Sequence, residues 1–119
     1  MTIKFTAPLE PVPFKRPRFN GRFVFNDSSY SAFKDALGLI ALKAMNGASP
    51  LSGAIKISVT VSRNLEPSSR NFGDADNHLK SVLDALNGIC YVDDAQVTVA
   101  EVTLQRGVPN VEIELEELQ

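Results

Sequence analysis

Residues 74–97 read DADNHLKSVLDALNGICYVDDAQV, and this stretch decides the fold of the chain. Its apolar residues recur at spacings of three and four, which predicts an amphipathic helix: Leu79, Val82, Leu83 and Leu86. Asp74, Asp76 or Asn77 can cap the start of this helix, and Asn87-Gly88 ends it. A turn is predicted at Asp93-Asp94, so the chain should reverse from the helix into a strand.

The other segments predict a small sheet with a second helix. Alternating apolar residues and turn residues indicate strands at 2–9, 51–63, 95–105 and 111–115, and apolar spacing indicates a helix at 28–46. The order β, helix, β, helix, β, β is typical of an α/β (α+β) domain, with a small mixed sheet and two helices packed against it. At 119 residues, we expect the whole of 1–119 to form a single domain.

Composition excludes several classes of protein. Hydrophobic residues make up 44% and charged residues 22%, which is ordinary for a globular protein. No apolar run approaches the roughly 18 residues of a membrane span, so no membrane partner is expected. Cys90 is the single cysteine, which excludes an intramolecular disulfide and a cysteine-rich zinc site. The start of the chain lacks the apolar core of a signal peptide, and we expect a cytoplasmic protein.

Charge is distributed unevenly along the chain. Residues 1–72 carry ten Lys or Arg against four Asp or Glu, whereas residues 73–119 carry two against ten. A proline-rich loop at 10–21 interleaves basic residues with Phe14 and Phe19, a mixture suited to phosphates and unpaired bases. A solvated loop with its phenylalanines in the core is an equally good interpretation. The candidate DNA-binding residues are Lys15, Arg16, Arg18, Arg22, Arg63 and Arg70.

Carboxylates and one lysine in residues 74–97 indicate a metal site. Asp74 and Asp76 should point to the same side with Cα atoms roughly 7 Å apart, and Lys80 follows Asp76 by one helical turn. The predicted hairpin of helix and strand would return Asp94 to the same cleft. Oxygen ligands select Mg²⁺, Mn²⁺ or Ca²⁺, and a lysine suits a phosphate. The hypothesis is metal-assisted phosphodiester hydrolysis.

Each of these residues also has a purely structural interpretation. The two carboxylates at the helix start can stabilise its dipole, and Lys80 with Asp84 can form an exposed helix pair. Asp93-Asp94 can be simple turn residues. His78, the single histidine, has no second histidine or cysteine with which to bind zinc, and a surface or packing role is favoured.

Three short motifs in order resemble the RusA-type Holliday junction resolvases: Asp74-x-Asp76-Asn77-x-x-Lys80, Asp84-Ala-Leu-Asn-Gly88 and Asp93-Asp94-Ala-Gln-Val97. The resemblance implies a small homodimeric endonuclease that needs Mg²⁺, with Mn²⁺ as a substitute, and cuts four-way DNA junctions symmetrically. It implies Asp74, Asp76 and Asp94 as metal ligands, Lys80 as the catalytic lysine, and a bacterial or phage origin.

The chain departs from the pattern just before and within the first motif. Asn71-Phe72-Gly73 is less basic than the pattern, and His78 replaces a usual leucine. Phe72 is suited either to wedging into an opened junction or to the core. Three rival functions stay open: a non-catalytic module that binds branched DNA, a nuclease for other branched nucleic acid, and a metal-sensing or structural protein.

Overall fold

The structure is a computed structural model that describes residues 1–16, 18, 19, 21, 24, 25 and 28–118. Its strands are β1 (Thr2–Ala7), β2 (Arg18–Phe19), β3 (Val24–Phe25), β4 (Ile55–Arg63), β5 (Val97–Arg106) and β6 (Asn110–Glu117). Its helices are α1 (Ser28–Met45), α2 (Ala75–Leu86) and a short 3₁₀ helix (Asp94–Gln96). The predicted order of elements and the two predicted helices are therefore confirmed.

Four of these strands form a mixed sheet in the order β1-β6-β4-β5. β6 pairs antiparallel with both β1 and β4, whereas β5 runs parallel to β4. A parallel neighbour requires a crossover connection, and α2 provides it. The α/β (α+β) prediction of a small mixed sheet with two helices is confirmed. The short strands β2 and β3 pair with each other as a separate hairpin.

The core lies between one face of the sheet and the two helices. β4 alternates from Ile55 to Val61: Ile55, Ile57, Val59 and Val61 are buried, and the residues between them are half-buried. Ser62 breaks the alternation because it is buried as well. The spacing in α1 predicts a buried apolar stripe of Tyr30, Phe33, Leu37, Ile40, Ala41 and Ala44. Four of these six are buried, whereas Ile40 and Ala44 are half-buried, and Gly38 and Met45 are buried in addition. Neither helix among the described residues combines the length and hydropathy of a membrane span.

The strand predicted to start at Leu51 begins four residues later. The Leu51 N–H donates to the Cys90 carbonyl over 2.8 Å, and Leu51 forms an isolated bridge with Tyr91. This segment therefore pairs with the turn after α2, and β4 starts only at Ile55.

β5 lies at the edge of the sheet and contains an irregularity at its start. Ile55 pairs with Val97 but Lys56 pairs with Val99, so the register shifts by one residue. After the shift, Ala100, Val102 and Leu104 share the helix-side face with the core residues of β4. Ala100 is nevertheless exposed, and Val102 and Leu104 are only half-buried. The helices leave this part of the face open.

Candidate active site

Two carboxylates stand at the start of α2 and are exposed. Asp74 occupies the N-cap position, but its side chain makes no capping hydrogen bond. Asn77 donates from Nδ2 to Asp74 Oδ2 over 3.4 Å, and the Asn77 backbone N–H donates to Asp76 Oδ1 over 3.0 Å. The helix N-terminus carries a partial positive charge that favours both carboxylates. Their outer oxygens remain accessible to a cation.

The backbone before Asp74 is held by two side chains. His78 Nε2 lies 2.6 Å from the Phe72 carbonyl oxygen, and Arg63 Nη1 donates to the same oxygen over 3.0 Å. Gly73 follows with φ +86°, a left-handed conformation that favours glycine. These contacts set the path by which the chain enters α2.

Lys80 lies one turn after Asp76 and is held by its surroundings. Its ammonium is 3.4 Å from Asp84 Oδ1 and 5.0 Å from the centre of the Phe14 ring. Tyr30 donates its hydroxyl to Asp84 Oδ2 over 2.8 Å. Burial and the Asp84 carboxylate raise the pKa of Tyr30, so its hydroxyl stays protonated as a donor. The predicted Lys80–Asp84 helix pair is present and is part of a larger cluster.

The basic loop before β2 packs beside this cluster. The Phe14 N–H donates to the Asn77 carbonyl over 2.9 Å, and the Phe14 ring meets the Tyr30 ring edge-on at 5.6 Å. Lys15 and Arg16 follow directly and are exposed. Lys15 Nζ donates to Ser29 Oγ at the start of α1 over 3.4 Å. A basic loop held beside both helices is suited to a surface that binds a polyanion.

Asp94 lies in the 3₁₀ turn before β5. Asp93 caps this turn together with Gln96 in a capping box. Gln96 accepts from the Val92 and Asp93 N–H groups and donates to the carbonyls of Leu51 (2.8 Å) and Gly53 (2.9 Å). Asp93-Asp94 is thus a turn, as predicted, and Asp94 itself is half-buried beside it.

Asp74 and Asp94 lie towards opposite ends of α2. Phe72, two residues before Asp74, contacts Arg63 at the end of β4 and lies 5.4 Å from Arg106 at the end of β5. Gln96, two residues after Asp94, contacts the segment before β4 begins. Nine residues of β4 separate these places, a length of roughly 26 Å. Accordingly, the described residues contain no group of three or more Asp, Glu, His or Cys side chains that could hold a metal ion.

The donor chemistry at the start of α2 fits a hard cation nonetheless. Mg²⁺ is typically held by one or two carboxylates, with waters and phosphate oxygens as its other ligands. Asp74 and Asp76 supply two exposed carboxylates, two residues apart, at the start of one helix. Asp94, the third predicted ligand, does not lie beside them within one chain. The metal-binding roles of all three carboxylates stay predictions.

The predicted DNA-binding residues occupy different environments. Arg70 is exposed in the loop before α2, whereas Arg63 is half-buried and directs its guanidinium at the carbonyls of Asn71 and Phe72. Arg18 belongs to β2, but its side chain is outside the described part of the structure, as is all of Arg22.

Sequence reasoning missed four residues that shape this region. Tyr30 was assigned to the core of α1, yet its hydroxyl reaches the polar cluster, and an aromatic residue with a polar tip in an apolar stripe is a usable signal. Gln96 was part of a quoted motif without a role. Arg106 lies over Phe72 and donates to the Ser69 carbonyl, and no local signal indicates these partners, because Ser69 stands 37 residues earlier. His78 contacts Phe72, six residues before it, and its place at a motif position usually held by leucine is the signal that could have found it.

Two comparisons with known proteins bear on the family of this chain. The model of the family described as endodeoxyribonuclease RusA matches residues 8–116. An uncharacterized protein of Bacillus subtilis (strain 168), YqaN, is 31% identical over 138 residues, covering 98% of this chain and 96% of its own length. The matched region contains every carboxylate and lysine discussed above.

Proposed function

The chain belongs to the RusA endodeoxyribonuclease family, and we propose that it is a Mg²⁺-dependent homodimeric nuclease that resolves four-way DNA junctions in recombination and repair. The observation that carries the proposal is the pair of exposed carboxylates, Asp74 and Asp76, at the start of α2, with Lys80 one helical turn after Asp76. Mn²⁺ is the expected substitute ion.

Each residue of this region has a proposed role. Asp74 and Asp76 hold the cation, which supplies an activated water and charge neutralisation when bound. Lys80, steadied by Asp84, offers a point charge to the scissile phosphate. Lys15, Arg16 and Arg70 contact the DNA backbone and so position the arms without reading sequence. Arg18, Arg22 and Arg63 remain candidates for further backbone contacts.

A dimer would solve the problem of the distant third carboxylate. Asp94 lies at the other end of α2 from Asp74, so a two-fold arrangement with antiparallel copies of α2 would bring Asp94 of the partner subunit to Asp74. The open helix-side face of β5, with Ala100, Val102 and Leu104, lies beside α2 and offers an apolar surface for the partner. Paired cuts on a two-fold symmetric junction also require two sites.

The first test is cleavage of a labelled four-way junction and of a linear duplex of the same sequence. We expect paired nicks in the junction with Mg²⁺, and a loss of at least about a hundredfold in rate for Asp76→Asn because the carboxylate charge is removed. Asp35→Asn is the matched control, since Asp35 is an exposed carboxylate on α1 away from the start of α2. Full activity in Asp76→Asn would contradict the metal site.

Mixing two inactive variants tests whether the site spans the dimer. In a heterodimer of Asp74→Asn with Asp94→Asn, a site shared between subunits leaves one of the two sites with both native carboxylates. Single nicks should then return when the inactive homodimers are mixed and allowed to exchange subunits. If both ligands came from one chain, both sites of the heterodimer would lack a carboxylate and nicking would stay absent.

Binding assays separate the proposed function from its rival functions. Lys15, Arg16 and Arg70 predict junction binding that weakens steeply with salt, since phosphate contacts release counterions. A non-catalytic module would bind the junction whether or not Mg²⁺ is present and would ignore Asp94→Asn. Competition between junction, fork and duplex identifies a nuclease for other branched nucleic acid.

A further inference from the structure

We propose that His78 is a positioning residue: it fixes the backbone of residues 72–74 and thereby sets where Asp74 presents its carboxylate. The inference rests on the proposed metal site for its functional consequence. Its structural part stands on the contacts of the imidazole ring alone.

The ring of His78 is buried and has a defined partner. His78 is 1% exposed, and its Nε2 lies 2.6 Å from the Phe72 carbonyl oxygen. A carbonyl oxygen can only accept, so Nε2 must carry the proton and donate it. A buried leucine at this position would fill space but would leave that contact unmade.

The accepting carbonyl is shared with a cation. Arg63 Nη1 donates to the same oxygen over 3.0 Å and to the neighbouring Asn71 carbonyl over 3.2 Å. Both lone pairs of the Phe72 carbonyl are thus used, by donors from the end of β4 and from the first turn of α2. The loop is tied at one atom to the sheet and to the helix.

The path of the chain at Gly73 requires the ring to be close. Gly73 has φ +86°, and a Cβ placed on it would lie 2.9 Å from His78 Nε2. The backbone therefore passes directly against the imidazole, and Asp74 is the next residue. Its extended backbone, with φ −78° and ψ 134°, continues from this fixed point into α2. A displacement of Phe72 or Gly73 moves the Asp74 carboxylate directly.

Nε2 is a donor in the Nε2–H tautomer of the neutral ring and also in the charged ring. The role assigned here therefore depends on geometry and not on a change of charge.

Two variants of His78 separate a hydrogen bond from simple packing. His78→Leu keeps apolar volume and removes the donor, whereas His78→Gln keeps an N–H donor at a similar reach. Ser81→Ala is the control, because Ser81 is 1% exposed on the same helix and its hydroxyl donates to the His78 carbonyl within α2 rather than to the Phe72 carbonyl. Thermal melting confirms that each variant is folded.

The first readout is the affinity for Mn²⁺, measured by calorimetry in the absence of DNA. We expect His78→Leu to bind Mn²⁺ about tenfold more weakly, as is common when a residue that orients a ligand is lost, and His78→Gln to stay within about twofold of the native protein. The second readout is trypsin cleavage after Arg70, an exposed residue of the same loop. It should be several-fold faster in His78→Leu and unchanged in Ser81→Ala.

The outcomes distinguish this inference from the proposed function. If Asp74→Asn abolishes Mn²⁺ binding but His78→Leu matches the native protein in both readouts, the positioning role is wrong and the metal site stands. If His78→Gln is as impaired as His78→Leu, ring shape rather than the hydrogen bond matters, and the inference is also overturned. No Mn²⁺ binding by the native protein would refute both.

Discussion

The predicted metal ligands lie near the two ends of α2, and the chain is held differently at each end. At the N-terminal end, Asp74 follows a loop that is held by Arg63 and His78. At the C-terminal end, Asp94 lies in a turn that Gln96 closes with four hydrogen bonds. The loop before Asp74 is thus tied to Arg63 and His78, nine and six residues from Phe72. By contrast, Gln96 ties the turn at Asp94 to Leu51 and Gly53, 45 and 43 residues away. The comparison shows that motif spacing alone does not reveal how a ligand is fixed.

The largest effect is expected at the C-terminal end, from Gln96→Ala. This change removes two acceptor contacts within the turn and two donor contacts that join the turn to the segment before β4. At about 0.5–1.5 kcal/mol for each hydrogen bond, the free energy of unfolding should fall by about 3 kcal/mol, as measured by urea denaturation. Junction cleavage should fall as well, because Asp94 loses its support.

Gln105→Ala is the control for this prediction. Gln105 makes one hydrogen bond, to Ser62 Oγ over 2.9 Å, and is exposed. Its replacement should cost about 1 kcal/mol or less. Equal losses for the two glutamine variants would mean that the turn at Asp94 is not held by Gln96.

A pair of glycine substitutions compares the two ends directly. Gly73 and Gly88 both have positive φ, +86° and +79°, so alanine carries a conformational cost at each of about 1 kcal/mol. A Cβ at Gly73 would also lie 2.9 Å from His78 Nε2, whereas a Cβ at Gly88 would meet nothing within 4 Å. Gly73→Ala should therefore destabilise the protein by about 1–2 kcal/mol more than Gly88→Ala.

Metal affinity sharpens the glycine comparison. Gly73→Ala should weaken Mn²⁺ binding, because the steric conflict lies next to Asp74, and Gly88→Ala should leave it unchanged. Similar stability and affinity in the two variants would show that the loop before α2 adapts easily and does not fix the carboxylate.

Sequence reasoning recovered the fold because its signals are local. The spacing of Leu79, Val82 and Leu86 and the alternation in β4 each decide an element within a dozen residues. Strand ends were less well predicted: Leu51 was placed in a strand, but it pairs with the turn at Tyr91, and nothing near Leu51 indicates that partner.

The candidate site was predictable only in part, because sequence signals are local and the site joins segments that are distant in sequence. The motif predicted the types and the order of the carboxylates and of Lys80. It did not predict that a parallel β4 and β5 force α2 to run the opposite way, which separates Asp74 from Asp94. The expected hairpin of α2 and β5 does form. The end of β5, rather than its start, returns to the region of Asp74, so that Arg106 and not Asp94 lies over Phe72. The order and direction of the strands decide how far apart Asp74 and Asp94 lie, and the spacing of residues within a motif does not encode them.

The smallest effect concerns Cys90, which lies just after α2 at its C-terminal end and is buried. Burial raises the pKa of the Cys90 thiol to about 11. The thiolate is the reactive form, so at pH 8 only about a thousandth of native Cys90 is reactive. Thiol reagents should label it slowly in native buffer and quickly in urea. Fast labelling of the folded protein would mean that this end of α2 opens readily, contrary to the turn closed by Gln96.

The same shift in pKa predicts how stability responds to alkali. Between pH 9 and 11 the unfolded chain loses the Cys90 proton while the native protein keeps it, so ionisation favours the unfolded state. The contribution of Cys90 is complete below about pH 9 and is lost as the pH rises towards 11. Tyr30 and Tyr91, whose pKa values burial also raises, add to the decline at higher pH. Urea denaturation at pH 8 and pH 10.5 should therefore show a smaller loss of stability in Cys90→Ala than in the native protein. Equal losses of stability in the two proteins would mean that the Cys90 thiol is in contact with solvent. The C-terminal end of α2 would then not be rigid.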